Sequence, residues 1–127
     1  FGMNADKLEK NELVIKGGFE SLEICRKAGV KVGFGSDLLG QLQEEQSREF
    51  LLRRDVMSPI EIIRSATTIG AEIVRMQGKL GIIEPGAIAD LIVVDGNPLE
   101  DLGLLQDQGA HLSVIMQQGR LHKYNPK

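Results

Sequence analysis

Apolar and polar residues alternate with period two from Val30 to Asp37. Val30, Val32 and Phe34 share one face, and Gly35 and Ser36 lead to a carboxylate. The pattern predicts a strand over 30–37 that presents Asp37 at its C-terminal tip. Upstream, Phe19, Leu22, Cys25 and Ala28 recur every third residue and Gly29 comes next as a stop, which predicts a helix over 18–28. Residues 1–17 are polar and mixed and carry no assignable pattern. Helix, glycine, strand is half of a repeating β/α unit.

After a short loop at Leu38-Leu39-Gly40, residues 41–54 read as a charged helix with Leu42, Phe50 and Leu51 inward. Ser58-Pro59-Ile60-Glu61 is a helix start: Ser58 can cap, Pro59 suits the first helical position, and Glu61 can close a capping box. That helix is expected to bury Ile60, Ile63 and Ala66 or Thr67. Thr68 can cap a further short helix carrying Ile69, Ile73, Val74 and Met76, with Gly78 as its end.

From there the chain changes character. Glu84-Pro85-Gly86 signals a turn. Residues 90–95 predict a strand that is apolar on both sides at its centre and hence well buried. Residues 111–117 and 120–124 predict two more strands, joined by a two-residue hairpin turn at Gln118-Gly119. Residues 1–78 therefore form a β/α part and residues 79–127 a β part. Three strands do not readily make a stable sheet alone, and their edges invite pairing. The single strand before the boundary has no partner of its own. Both parts lack complements, so the chain reads as incomplete.

Composition narrows the class. The chain is 42% hydrophobic and 26% charged with a formal net charge of −3, ordinary for a soluble globular protein. Aromatic content is 4%, tryptophan is absent and there is no basic stripe, which argues against nucleic acid as a partner. The longest apolar run, Leu91 to Val94, is far too short for a membrane span. Asp6, Glu9 and Glu12 near the start fit no signal peptide. Phe1 in place of a methionine points to a natural start further upstream. Cys25 is the single cysteine; it excludes an internal disulfide and reads as a small core residue. A lone cysteine is compatible with a reducing compartment, and a cytoplasmic location is expected.

Asp37 is the candidate for chemistry, because barrel enzymes place catalytic groups at the C-terminal tips of buried strands. Spacing alone leaves a second reading open, that Asp37 caps the helix or loop immediately after it. Leu38 and Leu39 read as packing or as a border to a substrate pocket. Gln46 and Arg48 read as a solvated face or as groups reaching a substrate carboxylate. His111 and His122 lie across the hairpin, far from Asp37 in sequence, and read as surface residues. Asp90 and Asp95 flank a strand and look structural.

Four stretches carry a resemblance: Gly33-Phe34-Gly35-Ser36-Asp37; Ser65-Ala66-Thr67-Thr68-Ile69-Gly70-Ala71; the run from Gly81 through Glu84-Pro85-Gly86 and Asp90-Leu91-Ile92-Val93-Val94-Asp95 to Leu99; and Val114-Ile115-Met116-Gln117-Gln118-Gly119-Arg120. Together they resemble the C-terminal part of the amidohydrolase superfamily, most of all the imidazolonepropionase-like group and its Xaa-Pro dipeptidase (prolidase) members. The third stretch is the most specific, and the likeness spans about residues 17 to 124. It implies an α/β fold: the last β/α segment of a metal-dependent-hydrolase (β/α)8 TIM barrel, then C-terminal strands of a small β-sandwich, incomplete in this chain.

The resemblance also implies one or two divalent metals, usually zinc, at the C-terminal face of the barrel. Asp37 matches the eighth-strand aspartate, which serves as metal ligand and as acid/base. The histidine ligands and the carboxylated lysine or glutamate of the family have no counterpart here. The isolated chain is therefore expected to be inactive, and whether it holds metal alone stays open. The implied activity of the intact enzyme is hydrolysis of a C–N amide bond, first of all in Xaa-Pro dipeptides. A cyclic-amide hydrolase of the imidazolonepropionase type is the alternative. A stand-alone α+β binding or assembly module is a third reading, which a natural start at Phe1 would favour. The expected partners are a small-molecule or dipeptide substrate and either the rest of the barrel or a second copy joined through open sheet edges.

Overall fold

The computed structural model describes residues 5–126. Phe1, on which the module reading turned, lies outside them. Two compact units are present, one ending at Val32 and the other beginning at Gly33.

The first unit is dominated by helix α1, Ala5–Lys27. It begins well before the expected residue 18 and runs through Gly17-Gly18, although glycine is a poor helix former. Ion pairs one turn apart support it, Lys16–Glu20 at 3.8 Å and Glu23–Lys27 at 2.8 Å. The hydrogen bond and the charge of Lys27 hold the Glu23 carboxyl below its ordinary range. The expected stripe is partly realised: Phe19, Leu22 and Cys25 are half-buried, while Ala28 is exposed. Cys25 is thus a half-buried free thiol rather than a core residue. Gly29 ends the helix in the left-handed region, with φ +68. Val30 N–H donates to the Cys25 carbonyl at 2.9 Å and Gly29 N–H to Arg26 at 3.1 Å, a Schellman closure.

The strand expected over 30–37 does not form. The backbone there is irregular, and it is tied to a distant part of the chain by a bond from Phe34 N–H to the Ser65 carbonyl at 3.1 Å. Period two sets where side chains point, but a strand exists only where a neighbour supplies a ladder of hydrogen bonds. Among the described residues no strand lies beside this one.

The helix expected over 41–54 is divided into a 3₁₀ stretch over Gly40–Arg48, helix α2 over Glu49–Leu52, and a second 3₁₀ turn over Arg53–Asp55. Phe50 and Leu51 are half-buried as expected, but Leu42 is exposed. Helix α3, Pro59–Ala66, starts as the sequence predicts. The Glu61 carboxylate accepts from Ser58 N–H at 2.8 Å and from the Ser58 hydroxyl at 2.6 Å. Its buried face is only partly the expected one: Ile63 and Thr67 are half-buried. Ile62 and Ser65 are fully buried, whereas Ile60 and Ala66 are exposed. Ser65 can sit inside because its hydroxyl donates to the Ile62 carbonyl at 2.6 Å.

Helix α4, Thr68–Ile73, buries Ala71 and leaves Ile73 and Val74 exposed. Its left-handed stop is Arg75, not Gly78: Arg75 takes φ +58, Met76 N–H bonds the Ala71 carbonyl at 2.8 Å, and Arg75 N–H bonds the Glu72 carbonyl at 3.0 Å. Gly81 then passes so close to α3 that an added Cβ would lie 2.5 Å from the Thr67 carbonyl oxygen. At the Pro85-Gly86 turn, Ala87 N–H bonds the Glu84 carbonyl at 3.1 Å and Gly86 takes φ +90.

The remainder is a three-stranded antiparallel sheet of β1 (Leu91–Val94), β2 (Leu112–Gln117) and β3 (Arg120–Tyr124), in that order. Leu91 lies opposite Met116, and Gln117 opposite Arg120. The Gln118-Gly119 turn has φ +49 and +77, the left-handed pair of a type I′ hairpin. It is tied back to the approach to β1: Gln118 N–H donates to Asp90 Oδ1 at 2.6 Å, and Gly119 N–H to the Ala89 carbonyl at 3.0 Å. The centre of β1 is not well buried. Ile92 and Val93 are 48% and 45% exposed, because no described layer covers them.

Candidate active site

Asp37 stands at the end of a segment that is fixed from its sides rather than by a sheet. Gly33 lets the Ile73 side chain approach to where a Cβ would be, 2.5 Å from Ile73 Cδ1. The Phe34 ring packs on Phe50 with centroids 4.3 Å apart. Arg53, only 5% exposed, reaches across: its Nη1 donates to the Gly33 carbonyl at 2.9 Å and its Nε to Glu49 Oε1 at 2.7 Å. The guanidinium carbon lies 5.0 Å from the centre of the Phe34 ring. On the other side, the carbonyl of the buried Ser65 accepts the Phe34 N–H.

Three residues beyond Phe34, Asp37 takes φ +50, a left-handed conformation that aspartate tolerates better than most residues. Its side chain is exposed, and it forms no hydrogen bond or ion pair with another described residue. It does not cap the next element: the 3₁₀ stretch starts after Leu39, without a side-chain cap. Leu38 is half-buried and Leu39 is exposed. Arg48 is engaged by Glu45 at 3.2 Å on a solvated face, and Gln46 is exposed.

The histidines do not join Asp37. His111 is exposed, with Nε2 4.0 Å from Asp107. His122 is the unpaired residue of a bulge in β3, where Met116 pairs with Leu121 and Ile115 with Lys123. Among the described residues no three His, Cys, Asp or Glu side chains form a group able to hold a metal. Asp37 alone therefore fits one oxygen-ligand position of a divalent metal and does not make a cage. Asp90 is structural, engaged by the hairpin turn. A wide groove of about 950 Å³ lies elsewhere, lined by Ile63, Ile82, Ile92, Ile115 and Met116 together with His122. It is mainly apolar, with Thr67, Asp90 and Gln117 also in its lining, and includes no residue of the Asp37 segment. No helix among the described residues is long and apolar enough to cross a membrane.

Asp37 is legible in the sequence as a candidate for chemistry, whereas Arg53 is not. The available signal was local: an acid at position 49 and an arginine at 53, one turn apart and flanking Phe50. That spacing is equally common on solvated helices, so it does not distinguish a buried pair.

The Amidohydrolase family profile matches residues 3–121, and the chain belongs to that family. A solved prolidase, crystallised with N-methylphosphonate-L-proline, is 54% identical and superposes with a TM-score of 0.87 over 98% of this chain and 31% of its own. A solved Xaa-Pro dipeptidase with methionine in its active site is 34% identical, with a TM-score of 0.73 over 83% of this chain and 25% of that one. Ochratoxinase of Aspergillus niger is 33% identical over 98 residues, which is 76% of this chain and 20% of that protein. The chain thus spans about a third or less of the proteins it matches.

Proposed function

We propose that this chain is part of a metal-dependent hydrolase that cleaves C–N amide bonds, with Xaa-Pro dipeptides as its substrates. The observation that carries the reading is the Asp37 carboxylate, exposed and unpartnered at the end of a segment whose backbone is pinned at Gly33 and Phe34. The likeness to a prolidase at 54% identity supports the choice of substrate. In this reading residues 1–78 belong to the last β/α part of a (β/α)8 barrel and residues 79–127 to a small β-sandwich. The exposed centre of β1 then faces further polypeptide.

Asp37 is the ligand this chain contributes to one or two zinc ions. A bound zinc ion supplies Lewis acidity and an activated water. The Asp37 carboxylate takes the proton released when the amide carbonyl is attacked. It then passes that proton to the departing nitrogen, which must be protonated to leave. Arg53 and Ser65 hold the backbone that leads to Asp37.

The test is turnover by the full-length protein on a matched panel. Xaa-Pro dipeptides, the same dipeptides lacking proline, and a cyclic imidazolone amide would be compared by kcat/KM after zinc reconstitution. Preference for the Xaa-Pro set is expected. Preference for the cyclic amide would move the protein to the imidazolonepropionase type, and no hydrolysis of any member would contradict the enzymatic reading.

A further inference from the structure

Arg53 is the most deeply buried charged side chain among the described residues of the second unit, at 5% exposure. A guanidinium removed from water is costly unless its donors are met. Here two of them are met, by two kinds of partner. Glu49 supplies the counter-charge at 2.7 Å, and the carbonyl of Gly33 accepts at 2.9 Å across twenty residues of sequence. The guanidinium carbon lies over the Phe34 ring, 5.0 Å from its centre, and that ring packs tilted by 32° on Phe50. Lysine offers neither the rigid fork nor the flat face, so it does not reproduce this contact.

The contact falls at a decisive place. Gly33 and Phe34 are consecutive, and their backbone groups are held from opposite directions, the Gly33 carbonyl by Arg53 and the Phe34 N–H by the Ser65 carbonyl. Only Gly35 and Ser36 separate this clamp from Asp37. In a strand, ladder bonds would set the direction of the tip; here a side chain performs that task.

We propose that Arg53 is a positioning residue: through the Gly33 carbonyl and the Phe34 ring it sets the path of the segment that delivers the Asp37 carboxylate to its metal. This rests on the reading of Asp37 as a ligand. Outer partners that orient a metal ligand typically contribute about 10–100-fold in metal affinity.

The test uses the metal-free full-length protein, with Zn²⁺ titrated against a chromophoric chelator at a temperature where circular dichroism shows every variant folded. Arg53→Lys and Arg53→Gln are expected to weaken zinc binding by about 10-fold or more, and Glu49→Gln by less. In the present chain, Arg53→Gln should speed amide exchange over Phe34 to Asp37 at least tenfold while β2 and β3 keep their protection. A merely structural arginine would lower the melting temperature and leave zinc affinity untouched. Folded Arg53→Lys with wild-type zinc affinity would therefore overturn the proposal. Asp37→Asn separates the two claims. If it binds zinc as wild type does, the ligand reading fails and the positioning role falls with it. If it loses zinc while Arg53→Lys does not, only the positioning role fails. If Arg53→Gln does not fold, Arg53→Lys and Glu49→Gln carry the test.

Discussion

Residues 30–37 and residues 91–124 both carry strand patterns, and they end in different states. The second region forms a paired sheet, because the tight turn at Gln118-Gly119 brings β3 onto β2, and β2 meets β1 along Leu91–Val94. The first region, with an equally clear alternation, has no neighbouring strand among the described residues and remains irregular. Its order comes from isolated contacts instead: Arg53 on the Gly33 carbonyl, the Ser65 carbonyl on the Phe34 N–H, and Phe50 on the Phe34 ring. A hairpin carries its partner in local sequence. A strand of a large closed sheet depends on partners far away in the chain, so its alternation describes a fold that a short stretch of polypeptide cannot complete.

That contrast can be broken by substitution. Ile62→Ala empties a fully buried position and should cost about 2–5 kcal/mol, read from chemical denaturation. Exchange should then accelerate in the clamp and in the sheet together. Phe34→Ala should be more selective. The ring is half-buried, so the loss should be about 2 kcal/mol, below the ~3–5 kcal/mol of a fully buried phenylalanine. Faster exchange is expected near Ser65 and Arg53, with β2 and β3 unchanged; a sheet that loosened equally would show that the two regions are not independently held.

Gly119→Ala is the converse. Nothing lies within 4 Å of an added Cβ, so the cost comes only from φ +77, about 1 kcal/mol. Exchange should speed in β2 and β3 while the clamp keeps its protection. Smallest is Glu23→Gln in α1, which serves as a control outside both regions. Because Lys27 depresses the folded pKa of Glu23, its support is present above the unfolded carboxylate pKa and is lost as pH falls through the folded value. Helicity of the wild-type chain should therefore decline as pH drops through the acidic range, and the variant should flatten that part of the profile without touching the clamp or the sheet.

What was legible in the sequence was local chemistry. The Ser58–Glu61 capping box, the Pro85-Gly86 turn and the Gln118-Gly119 hairpin are written in residues a few positions apart, and all three form. What was not legible was where a residue departs from the role its type suggests. The most buried side of α3, Ile62 and Ser65, was missed because Ser65 reads as polar, although its hydroxyl is satisfied by Ile62 one turn earlier. Helix α4 stops short of Gly78 because Arg75 accepts a left-handed conformation that sequence rules reserve for glycine. Asp37 was visible as a residue but not as a geometry, since the buried arginine that leads the chain to it is indistinguishable in sequence from a surface ion pair.

The most direct measurement is the turnover of Xaa-Pro dipeptides by the full-length, zinc-reconstituted protein and its Asp37→Asn variant. Loss of the carboxylate's proton transfer alone should lower kcat by about 10²–10⁴-fold, with circular dichroism unchanged. A folded variant with turnover near that of the wild type would contradict the assignment of Asp37, and with it the reading of this segment as the carrier of the chemistry.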